Sequence, residues 1–175
     1  GAPICLMASI VDITDLKRAE AEIQARSREL SVLNQIIGVS TSATDIEEAL
    51  EDVLAATIAL LDLRGGGIYL VKPDRQSARL VCIRGMLDDF IPPPGVSDIT
   101  VPPYADVFVA GEPLFVDDPG ERDIPPYASI PIVAPGRVVG SLNLVPHDHR
   151  LFADADRSLL VAIGREIGSS IERTL

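Results

Sequence analysis

Residues 127–145 read YASIPIVAPGRVVGSLNLV, two runs of apolar and β-branched residues on either side of one short turn. Tyr127–Ala134 and Arg137–Val145 have the length and composition of strands, and Pro135-Gly136 between them favours a turn. Strands joined by so short a connection pair as an antiparallel hairpin. We therefore expect a β-hairpin over this stretch.

The segments before this hairpin predict further strands. Ile68–Lys72 and Ala78–Arg84 flank the polar turn Pro73-Asp74-Arg75-Gln76 and are typical of a second hairpin. Leu114–Val116 is a short strand of its own. Between these strands the chain is rich in proline and irregular, and the pattern favours one short helix around Tyr104–Ala110.

Two helices are predicted outside the strands. The first follows a capping box at Thr44–Glu47, and Arg64–Gly67 is predicted to end it because glycine tolerates left-handed backbone. The second is Asp154–Leu175, which has no stop signal, so we expect the native polypeptide to continue beyond it. The apolar residues at helical spacing are Ile46, Leu50, Val53, Leu54, Ile58 and Leu61 in the first helix, and Leu160, Ile163, Ile167 and Ile171 in the second.

A seven-residue repeat marks residues 15–37 as a separate helical segment. The repeating aliphatic residues are Leu16, Ile23, Leu30 and Ile37, and Arg26 occupies one of the intermediate positions. This repeat predicts a parallel coiled coil and therefore a homodimer, to which the C-terminal helix adds Ile163, Ile167 or Ile171. The alternative is one long helix that packs on its own domain.

Composition excludes several classes of partner. The 175 residues carry 26 Asp and Glu against 15 Lys and Arg, a net charge of −11, which leaves no basic surface for nucleic acid or for an anionic membrane. No apolar run approaches the roughly 18–20 residues that span a bilayer, and no secretory leader opens the chain. The two cysteines, Cys5 and Cys82, are too few for a disulfide scaffold. We expect a cytoplasmic domain with reduced thiols and no direct membrane contact.

The order of the elements and five segments resemble the GAF domain, a small-molecule sensing module of signalling proteins. The segments are Gly67–Asp74, Gly111–Asp118 (GEPLFVDD), Ser129–Ile132, Gly136–Leu144 (GRVVGSLNL) and Phe152–Leu160. The resemblance implies an α+β fold with a central antiparallel sheet of five to six strands. The N- and C-terminal helices would lie on one face of the sheet, and loops and short helices would cover the ligand face. It assigns residues 38–175 to a GAF domain that ends in an output helix.

The opening of the chain resembles a different family. Ile10–Glu20 is similar to the end of a PAS domain that continues into its connector helix. This resemblance implies that residues 1–14 are the C-terminal remnant of a PAS domain and that residues 15–37 are the connector. Sensors built in this order carry a histidine kinase or another output domain after the GAF domain. The expected function is a sensory domain that binds a small molecule and relays the signal through dimeric helices. The alternative is a ligand-free dimerisation and relay module.

Specialised GAF sites are matched only in part. Asn143, Phe152 and Asp156 fit the Asn-Lys…Phe-x-x-x-Asp-Glu pattern of cyclic-nucleotide-binding GAF domains, but Leu144 and Arg157 replace the Lys and the Glu. Asp123-Ile124-Pro125 is similar to a tripeptide of bilin-binding GAF domains, but no Cys-His pair follows it. His147 and His149 are too few for a transition-metal site. We therefore predict no haem, bilin or metal and leave the cofactor unknown.

No catalytic residue is predicted. The chain has no Ser-His-Asp arrangement, phosphate-binding glycine loop or His-Glu-x-x-His helix. GAF-fold methionine sulfoxide reductases need several loop cysteines, and Cys82 is the single cysteine of this region. Cys82 is interpreted as a buried structural residue, with a thiol tuned by Arg84 as the alternative. We therefore expect a protein that is not an enzyme.

A ligand pocket is predicted beneath the proline-rich span 86–126, because loops of this length are commonly binding loops. Its apolar cover would include Phe90, Val107, Phe108 and Phe115, and Arg84 would favour a carboxylate or phosphate on the ligand. The direction in which each strand residue points is left open. The candidate ligand-binding residues are Tyr69, Cys82, Arg84, Phe90, Phe108, Tyr127, Ser129 and Asn143.

Overall fold

The computed structural model describes residues 46–85, 94–118, 125–147 and 150–174. These residues form two long helices, a six-stranded sheet and a π-helical turn at Asp106–Ala110. The helices are α1, Ile46–Leu61, and α2, Asp154–Thr174. The strands are β1, Leu63–Val71; β2, Ala78–Arg84; β3, Gly95–Val96; β4, Leu114–Val116; β5, Tyr127–Ala134; and β6, Arg137–Pro146.

The sheet is antiparallel throughout, with the strand order β3-β2-β1-β6-β5-β4. Both predicted hairpins are confirmed, as β1–β2 and β5–β6. β1 and β6 pair at the centre and join the two hairpins into one sheet. The predicted α+β fold with five to six strands is therefore confirmed with six.

One core fills the space between the sheet and the helices. Successive strand residues point to opposite faces, and the alternate residues Ile130, Ile132, Leu142 and Leu144 are fully buried on the helix side. From α1, Leu54 enters this core, which α2 completes with a longer apolar stripe. Both helices lie on the same face, as the α+β prediction requires.

The end of α1 differs from the prediction. The helix ends at Leu61, Asp62 takes the left-handed conformation (φ 49°), and β1 begins at Leu63. Arg150 donates from Nη2 to the carbonyl oxygen of Leu61 at 2.6 Å, which satisfies one of the free carbonyls at the helix end. The interpretation of Arg64–Gly67 as a helix stop was wrong, because these residues lie within β1.

The glycines of β1 have a packing role instead. A Cβ on Gly66 would lie 2.6 Å from the backbone oxygen of Asn143 and 2.7 Å from Cδ2 of Leu144. A Cβ on Gly65 would lie 2.6 Å from the backbone oxygen of Arg84. Glycine is therefore required by the close approach of neighbouring strands.

A β-bulge in β2 places Leu80 and Cys82 on opposite faces of the sheet. Ile68 pairs with Cys82 whereas Tyr69 pairs with Leu80, so Val81 is the extra residue. Cys82 therefore packs against the helix-side core, and Leu80 packs on the opposite face. Strict alternation would have placed these two residues on one face, but alternation does not continue through a bulge.

A second, smaller core covers the face without helices. Val96, Ile99, Val107 and Phe108 belong to the covering segment and are at most 8% exposed. They pack against residues of the sheet, among them Tyr69. The predicted helix around Tyr104–Ala110 is present here, as a short turn that becomes π-helical from Asp106. The covering layer that the resemblance implied is thus present on the helix-free face.

Phe115 does not belong to this cover, contrary to the prediction. Its ring contacts Phe152 edge-to-face with the centroids 5.8 Å apart, and the Arg157 guanidinium lies 4.5 Å from its centroid. Arg157 also donates to both carboxylate oxygens of Asp117 at 2.9 Å. Phe115 therefore lies on the helix side, where it joins β4 to the start of α2.

The apolar stripe of α2 is buried within the domain. Ile163, Ile167 and Ile171 are at most 6% exposed and pack in the helix-side core. The expectation that they join a dimer bundle was therefore wrong, because the sheet already covers them. No helix in the described part of the chain is both long and apolar enough to cross a membrane.

Two glycines bring α2 against the backbone of β5. A Cβ on Gly164 would lie 2.5 Å from the carbonyl oxygen of Pro131, and one on Gly168 would overlap the carbonyl oxygen of Val133. The two glycines are one helical turn apart and lie on the same side of α2. The helix consequently rests on the strand with no side chain between them.

We predict that Gly168→Ala destabilises the domain. Helix propensity alone favours alanine by about 1 kcal/mol. The new methyl group nevertheless has to displace strand backbone, and overpacking of this kind costs about 1–3 kcal/mol. Urea denaturation should therefore show a net loss of stability, whereas the neighbouring Ser169→Ala should leave stability nearly unchanged. A gain in stability for Gly168→Ala would contradict the close contact.

Candidate functional site

The sheet face opposite the helices carries two adjacent rows of polar side chains. In one row, Ser141 of β6 lies between its pairing partners Tyr69 of β1 and Pro131 of β5. In the next row, Asn143 pairs with Ser129. Both rows alternate with the buried leucines of β6, which point to the helices. The centre of the sheet therefore presents polar groups to the covering layer.

Ser141 is the unusual member of these rows. Its side chain is fully buried, and its hydroxyl oxygen has no hydrogen-bond partner in the described part of the chain. A buried polar group without a partner costs about 1–3 kcal/mol of stability. Native structures retain such a group where a function or an additional partner accounts for it.

Ser129 and Asn143, in the row next to Ser141, are joined by a hydrogen bond between their side chains. The Ser129 hydroxyl donates to Oδ1 of Asn143 at 2.6 Å. Because the amide oxygen accepts this bond, the two Nδ2 hydrogens of Asn143 remain available to an acceptor. The neighbour of Asn143 on β1 is Gly67, which places no side chain beside the amide. The pair can therefore donate to a carbonyl or ring nitrogen of a bound molecule.

Tyr69 lies at the boundary between the polar rows and the covering layer. The side chain is 2% exposed, and this burial, together with nearby Tyr104, raises the pKa of its phenol to about 12. The phenol therefore stays neutral at physiological pH. Phe108 packs in the same cluster and supplies an apolar surface. The face thus combines apolar cover with a few neutral polar groups, the composition typical of small-molecule sites.

The structure brings together some of the predicted site residues and separates the others. Tyr69, Ser129 and Asn143 lie on the helix-free face, and Tyr127 shares that face with Ser129 by strand alternation. Phe108 lies in the covering layer. Phe90 lies outside the described residues.

Cys82 and Arg84 lie away from this group. Cys82 packs in the helix-side core. Arg84 is exposed and pairs with Gly66 of β1. Gly66 in turn pairs with Leu144 of β6, which is buried on the helix side, so Arg84 lies on the helix side of the sheet too. The structure therefore does not bring these two candidate ligand-binding residues together with Tyr69, because the bulge in β2 places Cys82 and Arg84 on the helix side of the sheet.

Ser141 was missed by the sequence analysis. The signal for it was present, since Leu142 and Leu144 are apolar and residues 141 and 143 alternate with them on the other face. The serine was passed over because a small hydroxyl residue within a strand is not distinctive by itself.

Cys82 has the properties of a structural thiol. Burial, with smaller contributions from the nearby carboxylates of Glu51 and Glu47, raises the pKa of Cys82 to about 11. A thiol with this pKa is protonated at neutral pH and is a poor nucleophile. The alternative of a thiol activated by Arg84 does not fit this environment, since burial and the carboxylates of Glu51 and Glu47 disfavour the thiolate.

The described residues do not assemble the cyclic-nucleotide site or a metal site. Phe152, which matched the cyclic-nucleotide pattern, packs on Phe115 on the helix side. Arg157, at the position of the family Glu, is bound to Asp117. Among the described residues no three His, Cys, Asp or Glu side chains lie close enough to hold a metal ion. His147 is exposed, and His149 and Asp123-Ile124 lie outside the described residues.

The profile of the GAF domain family matches residues 43–172, most of the chain, in agreement with the sheet, the helices and the covering layer. The chain belongs to the GAF domain family. GAF domains are in general regulatory modules that bind small molecules, and they commonly dimerise. No curated protein sequence matches the chain.

Solved structures share this fold at low sequence identity. The GAF domain of a Coxiella burnetii phosphoenolpyruvate-protein phosphotransferase is 19% identical, with a TM-score of 0.70 over 85% of this chain and 95% of that chain. The corresponding Acinetobacter GAF domain is 17% identical, with a TM-score of 0.68 over 83% and 93%. A free methionine-R-sulfoxide reductase from Neisseria meningitidis, solved with its substrate, is 18% identical, with a TM-score of 0.68 over 96% and 95%. The same fold thus occurs in regulatory domains and in an enzyme.

We predict opposite effects for two serine substitutions on the ligand-free domain. Ser141→Ala removes an unsatisfied buried hydroxyl and should raise the free energy of unfolding by about 1 kcal/mol. Ser129→Ala removes a hydroxyl that is bonded to Asn143 and should lower it by about 1 kcal/mol. Chemical denaturation of the two variants beside the wild type measures both effects. Equal losses in the two variants would show that Ser141 has a partner in the folded protein.

Proposed function

We propose that this GAF domain is a sensory domain that binds a small molecule on the helix-free face of its sheet. The observation that carries the proposal is the buried Ser141 hydroxyl, which lies beside the Ser129–Asn143 pair and has no hydrogen-bond partner among the described residues. A ligand that bonds to Ser141 and accepts from Asn143 satisfies groups that are otherwise left incomplete. Tyr69 and Phe108 would enclose it.

The route by which occupancy reaches an output is β5. Ser129 of β5 belongs to the ligand face, while Pro131 and Val133 of the same strand contact the glycines of α2 through their backbone. A ligand that shifts this strand therefore shifts the surface on which α2 rests. We propose that α2 relays the signal to an output domain such as a histidine kinase.

The proposed context is a larger sensor. Residues 1–14 would be the end of a PAS domain and residues 15–37 a connector helix, with residues 38–175 as the GAF domain. The support is the similarity of Ile10–Glu20 to a PAS terminus and the seven-residue repeat that follows it.

We predict that the domain takes up a small molecule. Thermal denaturation of the 175-residue chain against a metabolite library should identify at least one compound that raises the Tm, since a ligand of the native state stabilises it. Native mass spectrometry and visible absorption of the gently purified chain test for a ligand carried through purification. Ser141→Ala and Asn143→Leu should each weaken binding of the identified compound by about tenfold or more, as expected for loss of a hydrogen bond in a buried site.

The matched control is Ser158→Ala, which removes an exposed hydroxyl on α2. This variant should bind the compound as the wild type does. If no compound raises the Tm and the purified chain carries no additional mass, the ligand proposal fails and a ligand-free relay module takes its place.

We further propose a parallel homodimer through Leu16, Ile23, Leu30 and Ile37. GAF domains commonly dimerise, and a seven-residue aliphatic repeat is the sequence pattern of a two-stranded coiled coil. The C-terminal stripe takes no part, because it is buried within the domain.

Light scattering at micromolar concentration should give the mass of a dimer. The double substitution Ile23→Glu and Leu30→Glu places charges in the seam and should give monomers, whereas Gln24→Glu lies outside the repeat and should leave the dimer intact. A wild-type monomer, or a dimer that survives the double substitution, would remove the basis for this seam.

A further inference from the structure

A groove of about 350 Å³ lies where β1 ends and β6 begins. Its floor is apolar and includes Leu70 of β1, Val139 of β6 and Ile171 of α2. Its rim carries Lys72, Arg75 and Arg137, of which the two arginines belong to the two hairpin turns. The groove is separate from the Ser141 face, and no residue of the polar rows lines it.

The charge around this groove is opposite to that of the chain. The protein carries a net charge of −11, yet the described residues that line the groove include three cationic side chains and no acidic one. Arg137 also lines an adjoining groove of about 340 Å³, to which α2 contributes Arg165 and which again has no acidic lining residue. The ends of the hairpins thus form a local cationic region on an acidic domain.

The two arginines of the rim are available to a ligand. Two other arginines of the domain have carboxylate partners, Arg79 with Glu47 at 2.7 Å and Arg157 with Asp117 at 2.9 Å. Arg75 and Arg137 form no salt bridge within the described residues. The neighbouring Asp74 carboxylate is occupied by the backbone N–H groups of Gln76 and Ser77 and by the Ser77 hydroxyl.

The backbone at Arg75 does not explain why arginine is present. Its φ of 54° lies in the left-handed region, where glycine or asparagine is better accommodated. The turn itself is held by Asp74 and by the bond from the Arg75 N–H to the Lys72 carbonyl. The long cationic side chain is therefore not required for the turn, and it lies on the rim of the groove.

We infer that this groove binds a small organic anion with an aliphatic body, of the class of medium-chain carboxylates. The guanidinium groups of Arg75 and Arg137 would bind the carboxylate, for which the planar fork of donors is suited. The floor would take the aliphatic chain. A groove of this size falls at the lower end of the volumes that hold small-molecule ligands.

The position of the groove gives such a ligand access to the signalling helix. Ile171 lies in the last turns of α2 and belongs to the floor. A bound aliphatic chain would therefore contact α2 directly, in addition to any ligand on the Ser141 face. The inference is independent of the proposed function, since neither site shares a lining residue with the other.

Isothermal titration calorimetry of the full 175-residue chain with octanoate tests the inference. Octanoate should bind. Acetate lacks the aliphatic body and 1-octanol lacks the charge, so the affinity of each should be lower than that of octanoate by about tenfold or more. The double substitution Arg75→Gln and Arg137→Gln should weaken octanoate binding by about tenfold or more, as charge-assisted bonds are lost. Arg84→Gln removes an exposed arginine elsewhere in β2 and should leave the affinity unchanged.

Several outcomes would overturn the inference. They are absence of octanoate binding, equal binding of acetate, equal binding of 1-octanol, and unchanged octanoate binding by the double variant with native circular dichroism. Octanoate binding that is lost in Ser141→Ala would also overturn it, because it would place the anion on the other face of the sheet.

Discussion

The backbone of β5 lies so close to α2 that only glycine fits between them, and the packing of this helix on the sheet depends on that contact. Gly164 and Gly168 rest on the carbonyls of Pro131 and Val133 without intervening side chains. The approach brings the isoleucine stripe of α2 deep enough to reach the inner face of the sheet, so that Ile163 is fully buried. A larger residue at either glycine would lift the helix and open the core along its length.

The fold was predictable wherever side-chain period alone determines the element. The β5–β6 hairpin alternates apolar residues around Pro135-Gly136, and α2 repeats its isoleucines every four residues, so both were assigned correctly. Glycine was ambiguous, because the same residue ends helices and permits close strand packing. Arg64–Gly67 was predicted to end the helix, but the left-handed residue that follows α1 is Asp62. The glycines of this segment instead permit the close packing of neighbouring strands. The contact that decides between the two comes from distant parts of the chain.

The candidate site was predictable where side chains alternate regularly between the two faces of the sheet. Ser129 and Asn143 were selected from the sequence, and their pairing across β5 and β6 places them on one face. The face on which Cys82 lies could not be predicted, because the bulge at Val81 is a property of pairing with β1 and leaves no mark in the sequence of β2. Ser141 has the correct parity, but its significance is the absence of a partner among the described residues, which only a structure reveals.

The two faces of β5 explain why a rigid sheet can serve a sensory domain. On one face Ser129 takes part in the polar rows, and on the other the strand backbone touches α2 directly. A layer of long side chains between strand and helix would absorb a small displacement through rotamer changes. Gly164 and Gly168 supply no such layer. A movement of the β5 backbone would therefore displace α2 directly, because the close-packed core leaves no space to absorb it. The glycine contact that positions α2 is therefore also a direct connection between the proposed ligand face and the C-terminal helix.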